Sequence, residues 1–297
     1  MSSPLSRHDL LRTRLDRFTR MLHGVASGDA RAIHRMRVAT RRLRELLPVL
    51  QLDARTARKL GRRLRRITRR LGEIRELDVL LDVMDDLQKS ARYSGRVLGQ
   101  ITGEIRTARL EAQDDLVGKP LVSELARIAR KLEAAAEELA DAERGRSRGR
   151  AWRWAIDARG SRRATTLSTA IEAAGALYLP ERLHVVRIAL KKLRYAVEVS
   201  AQATGADRAT DLRTLKRGQD LLGRLHDFQV LIERVRHAQD SLAGDVATGN
   251  LDSLDNLVTG LEQQCRRLHA RYVRERGALA AVCGRLLARH VSVRRAG

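Results

Sequence analysis

Apolar residues along this chain recur at intervals of three and four, the period of an α-helix, and alternating runs of the kind that make strands are few. Four prolines (Pro4, Pro48, Pro120 and Pro180) leave long stretches of that pattern uninterrupted. The spacing predicts helices over about 6–23, 29–49, 54–72, 75–90 and 95–117, and a second series over about 121–143, 161–178, 181–203, 206–223, 226–240 and 250–291. The fold class is therefore all-α. A Gly- and Arg-rich stretch, Arg144-Gly-Arg-Ser-Arg-Gly-Arg150, lies near the midpoint and marks a join.

The chain repeats itself across that join. His34-Arg-Met-Arg-Val-Ala-Thr-Arg-Arg-Leu-Arg44 matches His184-Val-Val-Arg-Ile-Ala-Leu-Lys-Lys-Leu-Arg194 at an offset of 150, and Leu71-Gly-Glu-Ile-Arg-Glu-Leu-Asp-Val-Leu80 answers Leu222-Gly-Arg-Leu-His-Asp-Phe-Gln-Val-Leu231 at 151. Because the two offsets agree to one residue, the duplicated unit spans several helices, giving halves at 1–147 and 148–297.

On a helical wheel His34, Arg37, Arg41 and Arg44 fall within a sector of roughly 80°, with Met36, Ala39, Leu43, Leu46 and Leu47 on the other side. His184, Arg187, Lys191 and Arg194 repeat the stripe opposite Val186, Ala189, Leu190, Leu193 and Val197, and Tyr195 borders it. In the next helix Leu60, Leu64, Ile67, Leu71 and Ile74 form the apolar side, while Lys59, Arg62, Arg63, Arg66, Arg69 and Arg70 share another. Arg213, Lys216 and Arg217 align with Arg62, Arg65 and Arg66, but Asp220 stands where Arg69 does.

The charge balance gives these stripes a meaning. The chain has 297 residues, with 59 Lys or Arg against 36 Asp or Glu, a formal net charge of +23. Residues 31–75 alone carry 16 bases and three acids, a surplus of 13. Solvated helix faces ordinarily mix signs, since like charges at i,i+4 cost about 0.2–0.5 kcal/mol per pair. Along the first stripe only Arg41 has an acid at that spacing, Glu45. Unrelieved self-repulsion points to an external anion. Arginine's planar fork suits phosphate oxygens, and several forks on neighbouring helices suit a chain of them.

Nucleic acid is one such chain, but aromatic residues make up only 3% and are scattered, which leaves no base-stacking platform and backbone contact alone. His34 and His184, one per copy, are read as hydrogen-bond donors to phosphate, against alternatives as structural histidines, metal ligands or phosphoryl acceptors. No phosphate-binding loop, zinc-protease motif, nucleophile elbow or dinucleotide fingerprint is present. The acids Glu73, Glu76, Asp78 and Asp82 are expected to cap the helix that starts near residue 75 and to pair with neighbouring arginines. Two cysteines, Cys265 and Cys283, exclude a disulfide framework and fit a reducing cytoplasm. No run of about 18 apolar residues offers a membrane span, and no secretory leader is seen at the start.

The His34-x-x-Arg-Val-x-x-Arg-Arg-Leu-Arg44 motif, its copy at His184 and the two Leu-Gly motifs at Leu71 and Leu222 resemble the CHAD domain family, the conserved histidine α-helical domain. The resemblance spans nearly the whole chain as one CHAD-like domain. It implies two pseudo-two-fold related four-helix bundles with additional helices, and a basic groove or pore between them. It further implies binding of inorganic polyphosphate, with several members at polyphosphate granules; together with the missing enzyme signatures and the bases around His34 and His184, which would repel a cation, the expectation is a non-enzymatic, cytoplasmic binder with no cofactor and no metal. Carried over by position, the binding residues are His34, Arg37, Arg41, Arg42 and Arg44 in one half and His184, Arg187, Lys191, Lys192 and Arg194 in the other. Arg62, Arg66, Arg69, Lys216 and Arg217 follow from the next helices. The Glu-x-Glu-x-Lys signature of the triphosphatase domain often fused to such proteins is absent. Nucleic-acid backbone binding is the alternative partner reading, and metal-dependent polyphosphate processing the alternative activity.

Overall fold

The structure, a computed structural model, describes residues 3–117, 119–144, 151–242 and 248–295, and among these it is helical with no strand. The helices are α1 (Arg7–Thr19), α2 (Leu22–Ala26), α3 (Ala30–Leu46), α4 (Ala54–Lys89), α5 (Gly95–Val117), α6 (Lys119–Arg144), α7 (Ala151–Ala174), α8 (Pro180–Thr204), α9 (Ala209–Leu242) and α10 (Thr248–Arg295). Local chemistry sets several of the ends. Ser6 forms a capping box with Asp9 at α1, and Asp29 and Asp53 accept the Ala32 and Thr56 amides at the starts of α3 and α4. α8 begins with Pro180 in its first turn and stops at Gly205, whose φ of 69° suits a left-handed helix terminus. The predicted join at residues 145–150 lies outside the described residues.

Two of the predicted breaks do not occur. The segments 54–72 and 75–90 are one helix, α4, and 206–223 and 226–240 are one helix, α9. The predicted breaks fall at Gly72 and Gly223, but a glycine inside a helix costs only about 1 kcal/mol against alanine, which buried apolar residues on either side outweigh. Leu71, Ile74, Leu222 and Leu225 are all buried. Glu73, Glu76, Asp78 and Asp82 consequently sit mid-helix and cap nothing; Asp78 bonds Arg109 at 2.8 Å and Asp82 lies 3.7 Å from Arg75.

The long α4 and α9 run through more than one core. The first is made by α1, α3, the N-terminal half of α4 and α6, centred on Leu15, Phe18, Met36, Leu64 and Leu132. The second is made by α7, α8, the N-terminal half of α9 and the C-terminal half of α10, around Leu167, Leu190, Leu215 and Tyr272. A third joins the halves: the distal parts of α4 and α9 pack with α5 and the start of α10 around Leu80, Val83, Ile101, Leu231 and Leu257. Cys265 and Cys283 are both buried on α10 and unpaired. Among the described residues no helix is long and apolar enough to cross a membrane.

Candidate anion-binding groove

The duplicated helices α3 and α8 touch each other, as do α4 and α9. Their apolar sides are committed to separate cores, so their cationic sides turn towards the space between the four helices. A cavity of about 460 Å³ opens there. Equivalent positions of the two copies line it: Arg37 with Arg187, Arg41 with Lys191, Glu76 with Asp227, and Val79 with Val230. His34, Arg75, Arg194 and Arg224 add to its basic wall. Beyond Arg37, Arg41 and Glu76 the cavity continues into a second of about 380 Å³, formed by Arg44, Arg65, Arg69, Thr68, Gly72 and Glu73.

Four central cations have no carboxylate of their own. On α3 and α8 the salt bridges belong to Arg42 and Arg194, which share Glu198, and to Glu45, which is clasped by Arg159 and Arg163 of α7. The predicted Arg41 to Glu45 pairing is thereby replaced. Arg37, Arg41, Arg187 and Lys191 make no salt bridge among the described residues, and Arg37 Nε and Arg187 Nε are buried donors without a hydrogen-bond partner. An unmet buried donor costs on the order of 1–3 kcal/mol, more when charged, and four cations crowded together add repulsion to it.

The ionisation of these groups records the strain. Burial, then Arg187, Arg41 and Arg37, pushes Lys191 down to about 6. Burial, its α3 neighbour Arg41 and the facing Arg187 lower Arg37 to about 10. Arg187 is lowered by burial and Arg41, with Asp227 opposing. Burial raises the Asp227 carboxyl despite the cations around it. His34 is held below its ordinary value by burial, Arg75 and Arg37. A bound polyanion relieves the costs on Arg37, Arg187, Lys191 and His34 together and pushes the Asp227 carboxyl further up, while a cation adds to the costs on the basic groups. Among the described residues no group of three or more His, Cys, Asp or Glu is arranged to hold a metal ion.

Residues 9–236 match the CHAD domain family. The chain belongs to the CHAD family. In fold it is similar to the crystal structure of the CHAD domain from the plant Ricinus communis, with 18% identity, a TM-score of 0.62, and coverage of 96% of this chain and 95% of that one. No curated protein matches.

In this CHAD chain the residues singled out from sequence divide into three groups, with His184 apart from all of them. His34, Arg37, Arg41, Arg44, Arg69, Arg187, Lys191 and Arg194 line the two connected cavities. Arg42, Arg66 and Lys216 are engaged elsewhere, with Glu198 at 3.0 Å, Glu124 at 3.6 Å and Asp220 at 2.6 Å. Arg62, Lys192 and Arg217 are exposed and outside both cavities. Arg194 is constrained as well, bonding Gln219 at 2.8 Å and lying 4.8 Å over the Tyr195 ring. His184 turns into an adjoining cavity with His226, their rings 5.0 Å apart.

Sequence reading missed Arg75, Arg224, Gln219, His226 and Asp227. The signal for most of them was there: the second duplicated motif places Arg75 opposite His226 and Glu76 opposite Asp227 at the same offset of 151. Reading that motif as a helix start, rather than as the middle of α4 and α9, put its polar side out of view.

Proposed function

We propose that this protein binds inorganic polyphosphate in the groove between α3, α4, α8 and α9, without turning it over. The reading rests on one observation above the others: Arg37, Arg41, Arg187 and Lys191 converge on a single cavity with no protein carboxylate bonded to any of them. A flexible chain of phosphates supplies alternating anionic oxygens to both copies of the helix pair at once and needs no stacking platform. Nor does the groove require a metal or cofactor for this role. The cytoplasm, and polyphosphate granules within it, is the setting we propose for such a binder.

The decisive experiment replaces Arg37, Arg41, Arg187 and Lys191 together by alanine. Each charged hydrogen bond is worth about 1.5–3 kcal/mol, so long-chain polyphosphate affinity is expected to fall by at least about a thousandfold with helicity unchanged. In the intact protein about eight phosphate contacts give a log–log salt slope near −5 to −6. Retained affinity in the fourfold variant, with unaltered circular dichroism, overturns the assignment. Duplex DNA competing equally at equal phosphate concentration would instead favour a nucleic-acid backbone ligand, and phosphate release with a divalent metal would make the protein an enzyme.

A further inference from the structure

Besides its continuation past Arg44, Arg65 and Arg69, the groove opens at two further mouths that are unlike. Where His184 and His226 sit, the adjoining cavity is bordered by Glu181, Glu233 and Glu262, and Glu262 holds Arg236 at 2.6 Å and Arg266 at 3.6 Å. At the other mouth His34 and Val38 belong both to the groove and to a neighbouring cavity of about 500 Å³ between α1 and α3. That cavity carries Arg14, Arg17, Arg20, Arg35 and Arg42, and no acid lines it.

The arginines there are only partly used by the protein. Arg42 is paired with Glu198, and Arg14 donates to Leu10 O at 3.1 Å and Gln202 Oε1 at 2.8 Å. Arg14 is nonetheless 4% exposed with its Nε buried and unpartnered, so a cation has been taken out of water without its donors being met. Burial and the nearby Arg42 lower it to about 10. Arg17, Arg20 and Arg35 stand exposed around it, and Arg20 donates to the backbone oxygen of Asp16 at 3.1 Å. Glu198 reaches Arg42 and acts on Arg14, but it is one charge against five cations at the edge of a basic groove, and Arg17, Arg20 and Arg35 stand beyond it, the arrangement of an anion site left open.

We propose that the α1–α3 cavity is an exit subsite: a polyphosphate chain too long for the groove leaves past His34 and is held by Arg17, Arg20 and Arg35 over Arg14, whereas the His184 mouth does not take it. The inference rests on the groove being the polyphosphate site and adds to it a direction and a dependence on chain length. It makes the protein a discriminator of long chains from short ones.

The test is a variant with Arg17→Glu, Arg20→Glu and Arg35→Glu, all exposed positions, titrated with tripolyphosphate and with long-chain polyphosphate. A second variant, Arg92→Glu, Arg96→Glu and Arg106→Glu, carries the same charge change on and just before α5, away from the groove. Tripolyphosphate affinity is expected to stay within about twofold of the α5 variant, while long-chain affinity falls at least tenfold below it. Three lost contacts also lower the long-chain salt slope by about 2. Equal long-chain affinity in the two variants overturns the exit subsite, as does an equal loss for short and long chains. Absence of binding to either ligand in the unaltered protein would remove the groove reading itself, a failure distinct from loss of the subsite alone.

Discussion

Arg41 and Lys191 occupy equivalent positions in the two copies and face the same cavity, whereas Arg69 and Asp220, also equivalent, have parted in sign. The copies thus agree in the four cations at the crossing, while at the α9 edge of the same cavity, which Asp220 also lines, the sign has changed. Around α4, Arg44, Arg65 and Arg69 extend the groove; around α9, Lys216 is held by Asp220, and Arg194 by Gln219 and Glu198. A duplicated surface is free to diverge wherever only one copy serves it. At the crossing each copy completes the other's site, so both must keep their cations. Central and peripheral basic residues of the same motif should therefore differ sharply in effect.

The largest contrast is expected between single substitutions. Arg41→Ala or Lys191→Ala removes a basic group that has no carboxylate of its own and is charged once the polyanion is bound, and each is expected to weaken polyphosphate binding by about ten- to a hundredfold, matching 1.5–3 kcal/mol. Arg66→Ala and Lys216→Ala remove exposed residues already engaged by Glu124 and Asp220, and each should change affinity by less than about threefold. Titration calorimetry on the four variants decides the point. Equal effects at all four would mean that diffuse charge, not the crossing, holds the ligand.

Lys191 sharpens the comparison through pH, because stability and affinity are expected to move in opposite directions. With its pKa pushed down to about 6 from an ordinary 10.5, the folded, empty protein carries a neutral Lys191 over that window while the unfolded chain carries a protonated one. The unfolded state then binds more protons, so this residue's contribution makes stability rise with pH between about 6 and 10.5. A bound polyanion restores the proton, so binding takes up a proton and affinity falls by about tenfold from pH 7 to pH 8. Lys191→Met is expected to raise Tm by about 2–4 °C at neutral pH while weakening binding, and to abolish the proton uptake. Calorimetry in buffers of different ionisation enthalpy reads that uptake directly. A Lys191→Met variant that is less stable than the parent, or that still takes up the proton, contradicts this account.

Much of this arrangement was legible in the chain itself. The 3.6-residue period, the duplicated motifs and the one-sided cation stripes are properties of single helices, and Arg37, Arg41, Arg187 and Lys191 emerged from them. What periodicity does not carry is which acid reaches across to another helix. Glu45 looked like a partner for Arg41 four residues away, but tertiary packing gave it to Arg159 and Arg163; Glu198, in no motif, removed Arg42 and partly removed Arg194. The third core was hidden for a related reason. It depends on α4 and α9 continuing through Gly72 and Gly223, where local propensity argues for a stop and burial overrules it.

Those two glycines provide the finest test, since they are equivalent in the motif and differ only in their surroundings. A methyl added at Gly223 meets nothing within 4 Å, so Gly223→Ala should gain the full helix-propensity term of about 1 kcal/mol. At Gly72 the methyl would sit 3.7 Å from Arg37 Nε and 3.8 Å from its Nη2, a normal contact distance that allows the same gain in stability. It would also cover a donor that is buried and unpartnered. Gly72→Ala is therefore expected to weaken polyphosphate binding about threefold, while Gly223→Ala, whose methyl stands in open space at the wall of the central cavity and covers no unmet donor, changes it by less, although thermal unfolding shifts upward equally in both. Because both variants change the helices alike, a difference confined to affinity assigns it to the guanidinium of Arg37 and to no general effect on α4 or α9. Identical affinities would show instead that the ligand does not need that Nε, and would move the strongest contact towards Arg187.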